Sequence, residues 1–218
     1  MLKFFRLIFI LFIILFSSCQ FSTENKKVIK HKDLLSVYSS LTTINILPLG
    51  HVNAEVIRQV KDALADFYKR DVVLLKPVGL RGTLKRNQSS RLSADSILKY
   101  YVSYNQTLVI TNYDITLYDS KKKADWGIFG KAIKPGKISV ISVYKGRLGK
   151  SVSNEKLYSR ARKVAIHELG HNLGLNHCIK DLTCVMHAGD GKASQVDKEV
   201  EGFCDNCKRL LISKWSFF

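Results

Sequence analysis

Two histidines and a glutamate are placed where they could act on one metal ion: His167, Glu168 and His171. The residues around them, 154–175, predict a long helix. Residues four apart on a helix lie one turn apart on the same face, so both imidazoles can hold one zinc ion. Glu168 follows the first histidine directly and can reach a water on the open zinc position without itself binding the zinc.

A third ligand is needed, and His177 is the candidate. Six more helical residues after His171 would rotate His177 by about 240° and carry it about 9 Å along the axis, away from the metal. Gly174 offers a solution because glycine accepts a left-handed backbone, at which a helix can end and the chain can turn back. His177 would then approach the zinc from the side.

This ligand set predicts hydrolytic chemistry. Three neutral imidazoles leave the zinc its positive charge and one open position, where the pKa of a bound water falls toward about 7. Glu168 would take the proton of that water as it attacks a peptide carbonyl, acting as general base. The sequence therefore predicts a zinc-dependent metallopeptidase.

The amino terminus has the features of an export signal. Lys3 and Arg6 precede an apolar run, Leu7–Phe16, that is too short for a membrane span of roughly 20 residues. Small residues before Cys19 resemble the lipobox of bacterial lipoproteins, which implies a lipid on Cys19. We expect a signal peptide at 1–18, a lipidated tether at 19–40 and the domain at 41–218. An ordinary signal peptide or an uncleaved anchor is the alternative.

Length and charge narrow the classes of partner. The 218 residues suit one domain, and we expect a monomer. The net charge of +17 is spread along the chain, as in a solvated basic surface, although it could also attract anionic lipid or acidic peptides. No nucleic-acid partner is expected, because the leader directs the chain out of the cytoplasm and no nucleic-acid-binding motif is present. The predicted location is a membrane-anchored lipoprotein facing the periplasm or the cell surface.

Strand and helix patterns alternate, which predicts an α/β fold with a mixed sheet and helices packed against it. We expect the first strand to be closed by Pro48, and the segment 113–132 to be polar loops. The predicted strands are 43–47, 72–75, 108–111 and 138–143, and the predicted helices are 53–68, 93–101, 154–175 and 204–213. A small C-terminal part should follow Gly174, with the metal in the cleft between the two parts.

Besides Cys19, the chain has four cysteines: Cys178, Cys184, Cys204 and Cys207. Four thiolates can close a tetrahedral zinc site, which is structural because no position stays open. An exported chain, however, normally forms disulfides, and four cysteines would give two. The spacing alone leaves both interpretations open.

These residues together resemble the archaemetzincins, a branch of the metzincin zinc peptidases. The family pattern HExxHxxGxxHC corresponds to 167–178, followed by Cys184-Val185-Met186, a further seventeen residues and the CxxC of 204–207. One departure is that five residues instead of four separate Cys178 from Cys184. The resemblance covers 167–207 closely and 111–132 more loosely.

The resemblance implies a metzincin-like zincin fold with an active-site helix and two zinc ions. The catalytic zinc would be held by His167, His171 and His177, with Glu168 as base and Met186 as the Met-turn residue beneath. The four cysteines would hold the structural zinc. A peptide or protein is the implied substrate. A catalytically silent zinc-binding module, displayed on a membrane for a peptide or protein partner, is the alternative, and His187 is expected to be a bystander near the cleft.

Overall fold

The computed structural model describes residues 43–85, 90–101, 105–119, 124–188 and 191–215. Eight strands are found there: β1 (Ile44–Leu49), β2 (Val72–Leu74), β3 (Leu92–Ser93), β4 (Gln106–Thr111), β5 (Ile115–Asp119), β6 (Ala124–Ile128), β7 (Gly130–Ala132) and β8 (Ile138–Ser142). The helices are α1 (Ala54–Tyr68), α2 (Ala94–Tyr100), α3 (Lys145–Leu148), α4 (Asn154–Asn172), α5 (Ala193–Val196) and α6 (Asp205–Trp215). The predicted leader and tether, with Cys19, lie outside the described residues.

The main sheet has five strands in the order β2-β1-β4-β8-β7. The first four are parallel and β7 runs antiparallel to β8, so the sheet is mixed as predicted. Because parallel strands are covered on both faces, β4 and β8 are buried along their whole length. A second, three-stranded sheet has the order β3-β5-β6.

Each face of the main sheet has its own core. Along β4, Leu108 and Ile110 point to one face and Val109 to the other, following the two-residue period of a strand. The first face packs against α1 and α4, and the second against α2 and β3. The helix that carries the reactive residues, α4, is thus held against the sheet by the larger core.

Three expectations need correction. The pattern of residues 113–132 predicted polar loops, although the looser resemblance to the family implied a strand and a loop there. The segment contains β5, β6 and β7, because β5 and β6 form an antiparallel pair and β7 joins the main sheet. Strand β1 continues through Pro48 to Leu49. Proline is tolerated there because β2 has already ended at Leu74, so the missing N–H faces no partner strand, and the Pro48 carbonyl accepts from Val78 N at 2.9 Å.

The third correction concerns the end of α4, which was expected at Leu175 and lies at Asn172. Its position is fixed by the turn around Gly174, described below. The short helices α3 and α5, of four residues each, were not expected from the sequence. Among the described residues, no helix has the length and apolar character that crossing a membrane requires.

Candidate metal centre and cleft

Helix α4, which carries His167 and His171, is held in place by hydrogen bonds near both of its ends. The buried Arg160 guanidinium donates to both carboxylate oxygens of Asp197, at 2.7 and 2.6 Å, which joins the helix to the C-terminal part. At the other end, the Asn172 amide donates to the carbonyls of Ile133 and Ile138, both at 2.9 Å. The helix is therefore anchored both to the segment that follows it and to the sheet.

The chain leaves α4 through a Schellman turn. Gly174 has φ +87°, in the left-handed region that the sequence predicted. Its N–H donates to the His171 carbonyl at 2.8 Å, and the Leu175 N–H donates to the Gly170 carbonyl at 3.0 Å. This pair of hydrogen bonds satisfies the last helical carbonyls and reverses the chain direction. A side chain at position 174 would be strained, since a left-handed backbone is unfavourable by about 1–2 kcal/mol for other residues.

The turn brings the three histidines together. One ring nitrogen each from His167, His171 and His177 lies within 4.8 Å of the other two. The Nε2 atoms of His171 and His177 are 3.2 Å apart. Two nitrogens bound to one tetrahedral zinc at 2.0–2.1 Å would be separated by about 3.3–3.4 Å. The spacing of these side chains thus fits a single zinc ion.

The outer ring nitrogens are held by the backbone. His167 Nδ1 lies 2.7 Å from the Val185 carbonyl, and His171 Nδ1 lies 2.7 Å from the Leu175 carbonyl. A carbonyl can only accept, so each Nδ1 carries the proton and each Nε2 has a free lone pair. This arrangement is typical of metal-ligating histidines, whose second nitrogen donates to a neighbouring group.

Burial keeps these imidazoles neutral. Removal from water is the main cause that lowers the pKa of His167 to about 3 and that of His171 to about 4. The pKa of His177 is also lowered, chiefly because its imidazole is partly shielded from water, although the residue as a whole is exposed, and then by the charge of Lys134. Neutral imidazole is the form that binds a metal, so no proton has to be removed at neutral pH.

Glu168 lies beside this cluster and is almost completely buried, with 6% of its surface exposed. Its Oε2 atom has no hydrogen-bond partner among the described residues. Burial raises the pKa of Glu168 to about 8, and the positive charge of Lys131 acts in the opposite direction. A cation next to the carboxylate would favour the ionised form, so this buried acid is electrostatically complementary to a bound metal.

Two glycines make room for these groups. A Cβ atom on Gly130, in β7, would lie 2.6 Å from Glu168 Oε1. A Cβ atom on Gly170, between the two helical histidines, would lie 2.5 Å from the sulfur of Met186. Met186 is fully buried and therefore packs directly beneath the histidine-bearing turn of α4, at a distance that only glycine permits.

The four cysteines form a second cluster, in which the four sulfurs lie within 4.8 Å of one another. The Sγ atoms of Cys178 and Cys204 are 3.6 Å apart, and those of Cys184 and Cys207 are 3.8 Å apart. Two sulfurs on one zinc at about 2.3 Å would be separated by about 3.8 Å. A disulfide would require about 2.05 Å. The Cys204 N–H also points to Cys184 Sγ, at 3.3 Å.

The pKa values of the cysteine thiols are shifted in different directions by this environment. Burial raises the pKa of Cys184 to about 11 and also raises the pKa of Cys207. For Cys204, burial opposes ionisation, but hydrogen bonds from the Cys207 backbone and from neighbouring thiols lower the pKa. Three of the four thiols are buried and Cys204 is partly so, which leaves little access for an oxidant.

The histidine cluster opens into a cleft with two unlike sides. The lysine side is formed by residues of β7 and the turn after it, with the histidines: Gly130, Lys131, Ala132, Lys134, His167, Glu168, His171 and His177. The other side, which we call the recess, shares Gly130, His167, Glu168 and His177 and is otherwise lined by Gly127, Ile128, Phe129, Val164, His187, Gly191, Val196 and Glu199. His187 thus lies in the cleft, where its Nδ1 is 3.2 Å from the Gln195 amide nitrogen.

A mixed α/β fold that places three neutral histidines beside a buried carboxylate has the composition of a zinc metallopeptidase site. The sequence model of Peptidase family M54 matches residues 79–213. This is more than half of the chain, which therefore belongs to peptidase family M54 and is a zinc metallopeptidase. The resemblance to the archaemetzincins is confirmed.

Relatives and solved structures agree with this assignment. The archaemetzincin of Halobacterium salinarum is 29% identical over 177 residues, which cover 77% of this chain and 98% of the relative. The archaemetzincin of Pyrococcus furiosus is 29% identical over 181 residues, covering 77% and 91%.

The crystal structure of the Archaeoglobus fulgidus archaemetzincin, complexed with malonate, superposes with a TM-score of 0.66 at 28% identity and covers 77% of this chain and 98% of that one. The Methanopyrus kandleri archaemetzincin has the same TM-score, 0.66, at 23% identity, and this similarity concerns the fold. The α/β fold predicted from the sequence is confirmed.

The structure brings the three histidines together beside Glu168, gathers the four cysteines in a second cluster and packs Met186 against Gly170. Cys19 lies outside the described residues. The structure adds groups that sequence reasoning did not find: the carbonyls of Val185 and Leu175, the glycines at 130 and 170, and Glu199. Only Gly170 carried a signal, because it stands between two predicted ligands where a larger helix former would be expected.

The contact of Gly130 with Glu168 generates a prediction. In Gly130→Ala, the new methyl group displaces the carboxylate and should lower kcat/KM for a peptide by about tenfold to a hundredfold. Zinc content should be unchanged, because no candidate ligand is touched. Steady-state hydrolysis and elemental analysis of the full chain measure both quantities.

The matched control is Gly79→Ala, where the added atom has nothing within 4 Å. It should retain the activity of the unmodified chain. Full activity of Gly130→Ala would show that the position of Glu168 does not matter for the reaction.

Proposed function

We propose that the chain hydrolyses peptide bonds with Glu168 as general base and with His167, His171 and His177 as ligands of the catalytic zinc. The observation that carries this proposal is the placement of one buried carboxylate beside three neutral imidazoles whose metal-binding nitrogens converge. When bound, zinc supplies a Lewis acid and lowers the pKa of a coordinated water.

Glu168 moves the proton in this scheme. Its carboxylate accepts a proton from the attacking water and afterwards gives it to the amine that leaves. Burial supports the role, because it makes the carboxylate more basic than an exposed one, while a zinc ion bound beside it would keep the group ionised and able to accept a proton. The contact with Gly130 restricts the side chain to one position, and the hydrogen bonds to Val185 and Leu175 restrict the two helical imidazoles.

Strand β7 supports binding of an extended peptide. It is the last strand of the main sheet, pairs with β8 on one side, and lines the cleft with Gly130, Lys131 and Ala132. An edge strand can accept a peptide as an additional strand through main-chain hydrogen bonds. A peptide or protein bound in this way would pass directly over Glu168.

Replacing Glu168 by Gln tests the role of the base. The variant should lose about 10²–10⁴-fold in kcat, because the amide cannot take the proton, and should keep its zinc. The measurement is mass spectrometry of a broad peptide mixture incubated with each full chain, together with zinc analysis.

Glu155→Gln is the control, since this exposed glutamate lies on the same helix, remote from the cleft. Its cleavage pattern should match that of the unmodified chain. Unchanged cleavage by Glu168→Gln would refute the assignment, and no cleavage by any of the three chains would favour the silent binding module.

We further propose a second, structural zinc on Cys178, Cys184, Cys204 and Cys207, which gives two zinc ions per chain. Sulfur separations of 3.6 and 3.8 Å and the backbone N–H donated to a sulfur support this assignment over two disulfides. The ion would join the loop after His177 to the start of α6. Met186 lies in that same loop, so the second site would hold the Met-turn in place.

Zinc analysis and thiol alkylation distinguish a four-cysteine zinc site from two disulfides. Zinc analysis of the full chain should give two ions, and the four thiols should react with an alkylating reagent once the chain is denatured with a chelator. Thiols that react only after reduction would contradict the zinc assignment and establish disulfides.

The leader remains the basis of a third proposal, that the mature chain is a lipoprotein held at a membrane through Cys19 and acts there as a monomer. The apolar run and the small residues before Cys19 support it. The unmodified chain should carry a lipid mass on Cys19 and begin at that residue, and Cys19→Ala should lose the lipid mass. An unmodified chain that sediments with membranes but carries no lipid mass and keeps residues 1–18 would point to an uncleaved anchor instead.

A further inference from the structure

The recess is lined by apolar side chains and by the carboxylates of Glu168 and Glu199. Val164 and Val196 lie on α4 and α5, and Ile128 ends β6, so three short apolar side chains enclose the space beside the histidine cluster. Val164 is located one helical turn before His167. Anything that occupies the recess is therefore adjacent to the atoms at which the peptide bond would be cut.

Glu199 is the charged group that sequence reasoning did not assign. Its surface is 8% exposed, yet it lines the recess. Within the part of the chain that the structure describes, its carboxylate makes no hydrogen bond and no ion pair. A buried carboxylate without a direct partner is unfavourable, and such groups are normally paired with a cation or a hydrogen-bond donor.

Lys163 is a cation whose charge acts on Glu199, but it does not provide that partner. Its ammonium donates to the Val196 carbonyl at 3.0 Å and is itself buried. It acts on Glu199 only through space: burial raises the pKa of Glu199 to about 7, and the charge of Lys163 acts against this rise. His187, which also lines the recess, is held by Gln195.

We propose that the recess receives the side chain of a substrate residue adjoining the scissile bond, and that Glu199 selects a cationic side chain, lysine or arginine. The inference rests on the proposed peptidase function and names its specificity. The methylene stem of such a side chain would pack on Val164, Val196 and Ile128, while its charged head would pair with the carboxylate. Glu199 would be a specificity residue that contacts the substrate away from the reacting atoms.

The test compares peptides that differ in one side chain. Two pairs are needed, with lysine or norleucine on either side of the scissile bond, so that the measurement also identifies which residue enters the recess. For one of the pairs, the full chain should cleave the lysine peptide with a kcat/KM at least about tenfold higher. In Glu199→Gln, which preserves the size of the side chain, this ratio should fall to about one or two.

The control variant is Glu201→Gln, two residues further along, where the carboxylate pairs with Arg162 on the surface. The lysine-to-norleucine ratio should not change there. A lysine preference that survives in Glu199→Gln, or cleavage without any lysine preference, would overturn the inference and leave the peptidase function intact.

A binding measurement separates the specificity from the chemistry. Peptide hydroxamates with a lysine-like or a norleucine-like side chain would be titrated calorimetrically into the zinc-loaded Glu168→Gln chain, with and without Glu199→Gln. If the lysine-like compound binds more tightly and this difference disappears with Glu199→Gln, the assignment of the recess is supported. If, in addition, no peptide is cleaved, only the proposed peptidase function is refuted. Equal binding of both compounds overturns the inference.

Discussion

The site depends on where α4 ends. A helix can place two histidines and a glutamate on one side of a metal, but it cannot supply a third ligand from its own continuation, because its side chains keep moving along the axis. The Schellman turn at Gly174 resolves this geometric problem by reversing the chain within one residue of left-handed backbone. The same turn directs the Leu175 carbonyl toward His171 Nδ1, and this hydrogen bond fixes the orientation of the imidazole.

The segment after the turn is held by several independent contacts, and this matters because His177 is exposed and has no helix to support it. Arg160 on α4 pairs with Asp197, and the Cys178 N–H donates to the Met186 carbonyl at 2.7 Å. The cysteine cluster brings Cys178 and Cys184 close to Cys204 and Cys207. Met186 then contacts α4 at Gly170. The C-terminal part would therefore form the second half of the proposed metal site.

The sequence was sufficient for the features that are local or set by ligand chemistry. The spacing of His167, His171 and Gly174 follows from helix geometry, and the cysteines are recognisable because metal ligands come from few residue types. The features that it could not provide are contacts between segments distant in sequence, such as Gly130 with Glu168. Strands β6 and β7 were missed because they are short and contain glycines and polar residues, and their pairing becomes visible only in three dimensions. The stretch that holds β5 was indicated only by its resemblance to the family.

Three imidazoles and one neighbouring carboxylate should form a single zinc-activated site. This arrangement can be observed in a crystal structure of the full chain grown with zinc, with anomalous data collected on both sides of the zinc absorption edge. We expect a zinc peak about 2.0–2.1 Å from the Nε2 atoms of His167, His171 and His177, with Glu168 beside it but not coordinated. A peak that is absent from this cluster, or a zinc ligated by Glu168 in place of a histidine, would contradict this arrangement.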